Sequence, residues 1–169
     1  MDKDIIKKVV ALAKQYNKKL YGVVSNMSIA VERRDFLKHF DCFICNQLEA
    51  GMLFMEDYAD KSPEELRDIL SKRVILGKIP AMIVTMGGNG AVYADVNGEK
   101  GICPPQRVRV KDTTGAGDAF CAGVASGLTY GKTLSEAVEI GSRLAASVIT
   151  SSENVCPRFL PEEFGITLD

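Results

Sequence analysis

Lys111-Asp-Thr-Thr-Gly-Ala-Gly-Asp-Ala-Phe120 is the stretch on which the reading of this sequence turns. Gly115, Ala116 and Gly117 carry almost no side chain, so backbone N–H groups there can approach an anion closely. They lead straight into a run rich in small and apolar residues, Ala119–Tyr130, which reads as a helix. The start of a helix presents unpaired N–H donors and roughly half a positive charge, which suits phosphate. Asp118 falls in the first turn beside that anion site. A carboxylate there can take a proton from an attacking hydroxyl, provided the hydroxyl comes within roughly 2.6–3.2 Å. Taken by itself, the plainer alternative is a loop whose aspartate complements the helix dipole.

Outward from this stretch the pattern alternates helix and strand. Residues 3–18 place Ile5, Ile6, Val9, Val10, Leu12 and Ala13 on one side at helical spacing. Leu20–Ser25 reads as a short apolar strand, Val31–Phe40 as a charged amphipathic helix and Cys42–Cys45 as another strand. Asn46–Met55 opens with a capping residue and continues with helix formers. Ser62-Pro-Glu-Glu65 combines an N-cap, a proline at the first helical position and two first-turn acids, for a helix running to about Leu76. Pro80–Met86 is a β-branched strand that ends at Gly87-Gly-Asn-Gly90. Ala91–Asp95 and Gly101–Pro104 flank Asn97-Gly98, a hairpin signal. Gly115–Tyr130 and Leu134–Ser151 are two long helices, the second with ordinary start chemistry at Ser135-Glu-Ala. Pro157–Asp169 reads as a short tail. Such alternation predicts an α/β layered fold with a mostly parallel sheet, whose ligands sit beyond the carboxyl ends of the strands.

Bulk properties narrow the function. The 169 residues suit one domain, and 21 basic against 22 acidic residues give a net charge of −1. That balance speaks against nucleic acid. No apolar run approaches the ~18 residues that span a bilayer, and the N-terminus lacks signal-peptide features, so a cytoplasmic protein is expected. Cys42 and Cys45 form a C-x-x-C, but no second Cys or His pair completes a zinc site, and a buried strand is the simpler account. The single histidine, His39, reads as a helix-end surface residue, so chemistry requiring a histidine base is disfavoured. A dinucleotide-binding domain would need G-x-G-x-x-G in the first strand–helix turn, and a P-loop would need G-x-x-x-x-G-K-[ST]; neither pattern occurs there.

Asp112-Thr-Thr-Gly-Ala-Gly-Asp118 with its small-residue helix resembles the second signature of the ribokinase-like (PfkB) carbohydrate kinases. Two further motifs stand before it in the family's order. Asn46-Gln-Leu-Glu49 is similar to the family's Asn-x-x-Glu, whose Asn and Glu organise Mg²⁺ and phosphate largely through water. Thr85-Met-Gly87, with Gly88 and Gly90, resembles the turn that contacts ATP phosphates. The resemblance implies a three-layer α/β/α ribokinase-like fold, an anion hole at Gly115–Gly117 and Asp118 as catalytic base. It also implies a monovalent cation, usually K⁺, held by Asp112 and Thr114 with backbone carbonyls near residues 149–154. Gly141 to Ala146 would approach adenine, with Ser142 nearest.

Family members are usually much longer. Their N-terminal half carries an early glycine-rich signature, a sugar-binding aspartate and a β-strand lid, none of which this sequence shows. Residues 1–169 are therefore expected to form a single partial domain, the nucleotide-binding and catalytic half. A fragment of this kind would turn over little alone and would self-associate through its exposed sheet edge. A module that binds nucleotide or assembles without catalysis is the alternative. Leu20-Tyr-Gly-Val-Val-Ser-Asn26 and Val148-Ile-Thr-Ser-Ser-Glu-Asn-Val-Cys-Pro157 resemble pseudouridine-kinase-like members, so a ribosyl nucleoside is expected ahead of ribose or a ketose phosphate.

Overall fold

The computed structural model describes residues 3–23, 31–32, 34–151 and 160–165. Two compact units emerge from the contacts: Met1–Met86 with Val92–Ile102, and Gly87–Ala91 with Cys103–Asp169.

In the first unit, α1 (Lys3–Gln15) leads to β1 (Tyr21–Val23), a 3₁₀ helix (Arg34–His39) and β2 (Cys42–Asn46). Next come α2 (Gln47–Phe54), α3 (Pro63–Gly77) and β3 (Ala81–Thr85). After a 3₁₀ turn at Gly87–Asn89, which belongs to the second unit, come β4 (Ala91–Asp95) and β5 (Lys100–Cys103). The sheet runs in the order β1-β2-β3-β4-β5. β1, β2 and β3 are parallel, with Phe43 opposite Met82 and Asn46 opposite Thr85. The connections to β4 and β5 are too short for a crossover, so those strands run antiparallel and the sheet is mixed. Asp95 N–H donates to the Glu99 carbonyl (2.8 Å) to close the Asn97-Gly98 hairpin.

Cys42, Phe43, Ile44 and Cys45 are all buried, as are Ala81 through Val84, so the central strands are covered on both faces. This is why they read as unbroken apolar runs. One face of the core gathers Phe43, Cys45, Met82 and Val84 against Leu53 of α2 and Leu66, Leu70 and Val74 of α3. Each fully buried aliphatic side chain there contributes roughly 2 kcal/mol. Both cysteines of the C-x-x-C are buried thiols in β2, as the strand reading requires.

The sequence expectations need three adjustments in this unit. The apolar side of α1 divides: Ile6, Val10 and Ala13 are buried, and Ile6 and Val10 pack with Phe36, whereas Ile5, Val9, Leu12 and Tyr16 are exposed. Val31–Phe40 resolves into helical residues 31–32 and the 3₁₀ helix Arg34–His39. The 3₁₀ helix buries Phe36 and Leu37. Of the strand expected at Leu20–Ser25, residues 24 and 25 lie outside the described residues.

In the second unit, α4 (Ala116–Thr129) packs along α5 (Leu134–Thr150). Gly123 and Gly127 face Gly141 and Ala137 so closely that a Cβ on Gly123 would stand 2.7 Å from the Gly141 Cα. The small residues of the signature helix thus have a packing reason. α5 is capped by Thr133, whose side chain accepts from Glu136 N–H while the glutamate returns to Thr133 N–H. The helix therefore begins at Leu134 as expected, with Thr133 rather than Ser135 supplying its cap. Of the tail, a 3₁₀ helix at Pro161–Phe164 is described.

Candidate functional site

The residues singled out by sequence fall into both units and are described within each. In the first unit, the register of β2 and β3 places Asn46 beside Thr85 at the carboxyl ends of these parallel strands. The Thr85 hydroxyl donates to the Cys45 carbonyl at 3.5 Å. Asn46 is the N-cap of α2, in extended conformation. Its Oδ1 accepts from Glu49 N–H at 2.8 Å, and Glu49 Oε2 accepts from Asn46 N–H at 2.7 Å. Asn46, Glu49 and Thr85 are therefore brought together. One carboxylate oxygen of Glu49 is committed to the cap, and Oε1 has no protein donor among the described residues. A hard cation held through water suits a carboxylate so placed.

In the second unit, Gly87 (φ 55°) opens a turn closed by Gly90 N–H to the Gly87 carbonyl at 3.1 Å. A Cβ on Gly90 (φ 86°) would lie 2.1 Å from the Cys103 carbonyl oxygen, so that position excludes any side chain. No sequence signal announces this contact. The Cys103 thiol donates to the Pro104 carbonyl at 3.7 Å, and Ser142 lies midway along α5. Burial pushes that thiol above its ordinary range, with a smaller opposing effect from Ser142 and a small upward one from Glu139.

The signature loop is built from short-range bonds. Asp112 Oδ1 accepts from Thr114 N–H and from the Thr114 hydroxyl, both at 2.9 Å. These donors hold the Asp112 carboxyl below the usual carboxylate range, the Thr114 N–H contributing most. Lys111 N–H donates to the Ile149 carbonyl at 2.8 Å, tying the loop to the end of α5. Asp112 and Thr114 are thus bonded to each other, and the Ile149 carbonyl is engaged by the loop backbone. Residues 152–154, expected to add carbonyls, lie outside the described residues.

Gly115 is the N-cap of α4 at φ 80°, a left-handed conformation that glycine adopts without strain. It supplies no side-chain cap. Ala116 N–H reaches the Thr113 carbonyl (3.2 Å) and Ala119 N–H the Gly115 carbonyl (2.9 Å). The N–H groups of Gly117 and Asp118 have no acceptor among the described residues. A Cβ on Gly117 would meet nothing within 4 Å, so the approach to those donors is open. Asp118 occupies the third helical position, and its exposed carboxylate has no hydrogen bond or ion pair among the described residues. Two free donors beside an uncommitted carboxylate can hold an anion and accept a proton next to it.

The sequence profile described as "pfkB family carbohydrate kinase" matches residues 1–157. The chain is 35% identical over 153 residues to the guanosine-inosine kinase of Exiguobacterium acetylicum, covering 89% of this chain and 49% of that protein. It is 35% identical over 69 residues to the pseudouridine kinase of Escherichia coli (strain K12), covering 41% of this chain and 22% of that one. The crystal structure of ribokinase from Thermotoga maritima superposes with a TM-score of 0.67 at 25% identity, over 95% of this chain and 52% of that chain. The chain thus spans about half the length of the guanosine-inosine kinase and of the ribokinase structure. Among the described residues, no helix is long and apolar enough to cross a membrane.

Proposed function

The chain belongs to the PfkB family of carbohydrate kinases, and from that premise we propose that it is the nucleotide-binding and catalytic part of an ATP-dependent kinase acting on a hydroxyl of a ribosyl nucleoside. The observation that carries this reading is the start of α4, where the Gly117 and Asp118 N–H groups and the Asp118 carboxylate are all uncommitted.

The chemistry follows from that geometry. The two N–H donors and the helix dipole would stabilise negative charge on the transferring phosphoryl group. Asp118 would accept the proton of the substrate hydroxyl as its oxygen bonds to the γ-phosphorus and the bond to the departing ADP breaks. Phosphoryl transfer needs little more from the protein than positioning and charge stabilisation. Asn46 and Glu49 would hold Mg²⁺ through water, which offsets phosphate charge when bound. Thr85, Gly87 and Gly90 would contact the phosphates, Ser142 would approach adenine, and Asp112 with Thr114 would hold K⁺. A ribosyl nucleoside is preferred because the guanosine-inosine kinase match extends along 89% of the chain and the pseudouridine kinase match along 41%. That comparison moves purine nucleosides ahead of pseudouridine. Because the chain covers about half of such relatives, a nucleotide-binding module without turnover is the second reading of the isolated chain.

Calorimetric titration of the chain with ATP, with and without Mg²⁺ and K⁺, tests the site. Wild type is expected to bind. Gly117→Val should weaken ATP at least tenfold while leaving Tm essentially unchanged, because the added side chain enters open space on the anion's path. Absence of both heat and thermal shift with wild type, or unchanged affinity in Gly117→Val, overturns the assignment.

A further inference from the structure

The amino ends of the parallel strands hold a concavity that the kinase chemistry leaves unused. It encloses about 370 Å³ over an apolar floor that includes Leu20, Phe40 and Pro80. Lys14, Lys18, Lys19 and Lys38 line it together with His39 and Asp41. Four lysines against one aspartate is a local positive excess in a chain of net charge −1.

The aspartate is already engaged. Asp41 Oδ1 accepts from Lys19 Nζ at 2.7 Å, and Oδ2 accepts from Leu20 N–H at 2.9 Å. Lys14, Lys18 and Lys38 form no ion pair among the described residues. Lys14 sits in the last turn of α1, and Lys38 in the last turn of the 3₁₀ helix. Two helix C-termini carry roughly one negative charge between them at most. That offsets about one of the three lysines and leaves the others uncompensated around a pocket large enough for a small molecule.

We propose that this concavity binds a small polyanion of the di- or triphosphate class, at the end of the sheet opposite Asn46 and Thr85. Lysine ammonium groups are mobile point donors that suit phosphate oxygens. A concave site of one sign also raises the local concentration of counter-ions. β2 is five residues long, so its two ends lie about 13 Å apart. An anion here would therefore stand clear of the phosphates expected near Asn46, and the inference does not depend on the kinase reading.

His39 reports on the site. Its imidazole is held below the ordinary histidine range by burial first, and then by Lys14 and Lys38. Asp35 on the same 3₁₀ helix acts weakly in the opposite sense. Lys18, Lys19 and Asp41 complete the charged groups around the pocket. A bound polyanion would cancel the lysine contribution and raise the pKa of His39.

His39 is the single histidine of the chain, so its imidazole proton resonance can be followed without ambiguity. Inorganic pyrophosphate is the probe, titrated at constant ionic strength with sodium chloride and sulfate as controls. The expected result is a saturable His39 shift and a higher His39 pKa with pyrophosphate. Lys14→Gln and Lys38→Gln should each weaken the interaction by up to about fivefold, the upper end for an exposed ion pair, and Gly117→Val should leave it unchanged. A drift that does not saturate, an equal response to sulfate, or an unaltered Kd in the Lys14→Gln/Lys38→Gln double variant overturns the proposal.

Discussion

Helices α2 and α4 both begin beside predicted ligand residues, yet their first turns are built in opposite ways. In α2, Asn46 and Glu49 bond each other's backbone, so the helix satisfies its own donors. α3 and α5 repeat the device with Ser62 and Glu65, and with Thr133 and Glu136. In α4 the cap is a glycine at φ 80°, and the acid at the same third position is Asp118. Aspartate is one methylene shorter than glutamate, and a glycine cap offers no side chain to complete the reciprocal pair. Three helices therefore spend the third-position acid on their own stability, and one leaves it for something else. A capped first turn costs a protein nothing in stability, so the uncapped one stands out as the place where binding would compensate for unmade bonds.

The largest effect that can break this contrast is on turnover. Asp118→Asn keeps the size and the helical position while removing the proton acceptor. In a chimera in which this chain replaces the matching segment of the Exiguobacterium acetylicum guanosine-inosine kinase, kcat should fall by about 10²–10⁴, the usual contribution of a positioned base. The melting temperature should change little, because the Asp118 carboxylate has no partner among the described residues. Near-normal turnover would place Asp118 with the ordinary first-turn acids.

A smaller effect separates Asn46 from the caps it resembles. Asn46→Ala and Ser62→Ala each remove one capping acceptor, at a cost of about 1 kcal/mol. For a chain of this length that lowers Tm by roughly 2–4 °C. If Asn46 also organises Mg²⁺, its variant alone should lose Mg²⁺-dependent ATP affinity, read by calorimetry with and without Mg²⁺. Equal behaviour of the two variants would reduce Asn46 to a cap.

Much of this was legible in the sequence, and the parts that were not have physical causes. β2 and β3 show as apolar runs because both their faces are buried, and Ser62-Pro63 marks the start of α3 because capping is local chemistry. Asp112–Asp118 was recognisable because it resembles the second signature of the PfkB family and Asn46–Glu49 and Thr85–Gly87 precede it in the family's order. Other features depend on contacts between residues far apart in sequence. The exclusion of a side chain at Gly90 comes from the Cys103 carbonyl, and the tether of the loop comes from Ile149. α1 misled for a related reason: its apolar periodicity is wider than the face its neighbours cover, so Ile5, Val9 and Leu12 are exposed beside buried Ile6 and Val10. The start of α5 at Leu134 was legible, and only its cap, Thr133, went unnamed. Glu136, three residues after Thr133, marks that cap.

The smallest expected effect concerns pH and sharpens the same contrast from the capped side. Glu136 is held below the usual glutamate range, by the Thr133 hydroxyl first and the Thr133 N–H next. A carboxyl whose folded pKa is depressed adds stability above its unfolded value, near 4.3. That stability disappears as pH falls through the lower folded value. Glu136→Gln retains hydrogen-bonding capacity without the charge, so wild type should exceed it in Tm at pH 7 by a small margin. The margin should close on acidification, beginning below about pH 4.3. Thermal melts of wild type and Glu136→Gln from pH 7 to pH 3 decide this. A margin for Glu136→Gln that widens toward acid would mean that the Thr133–Glu136 cap does not stabilise α5 through its carboxylate.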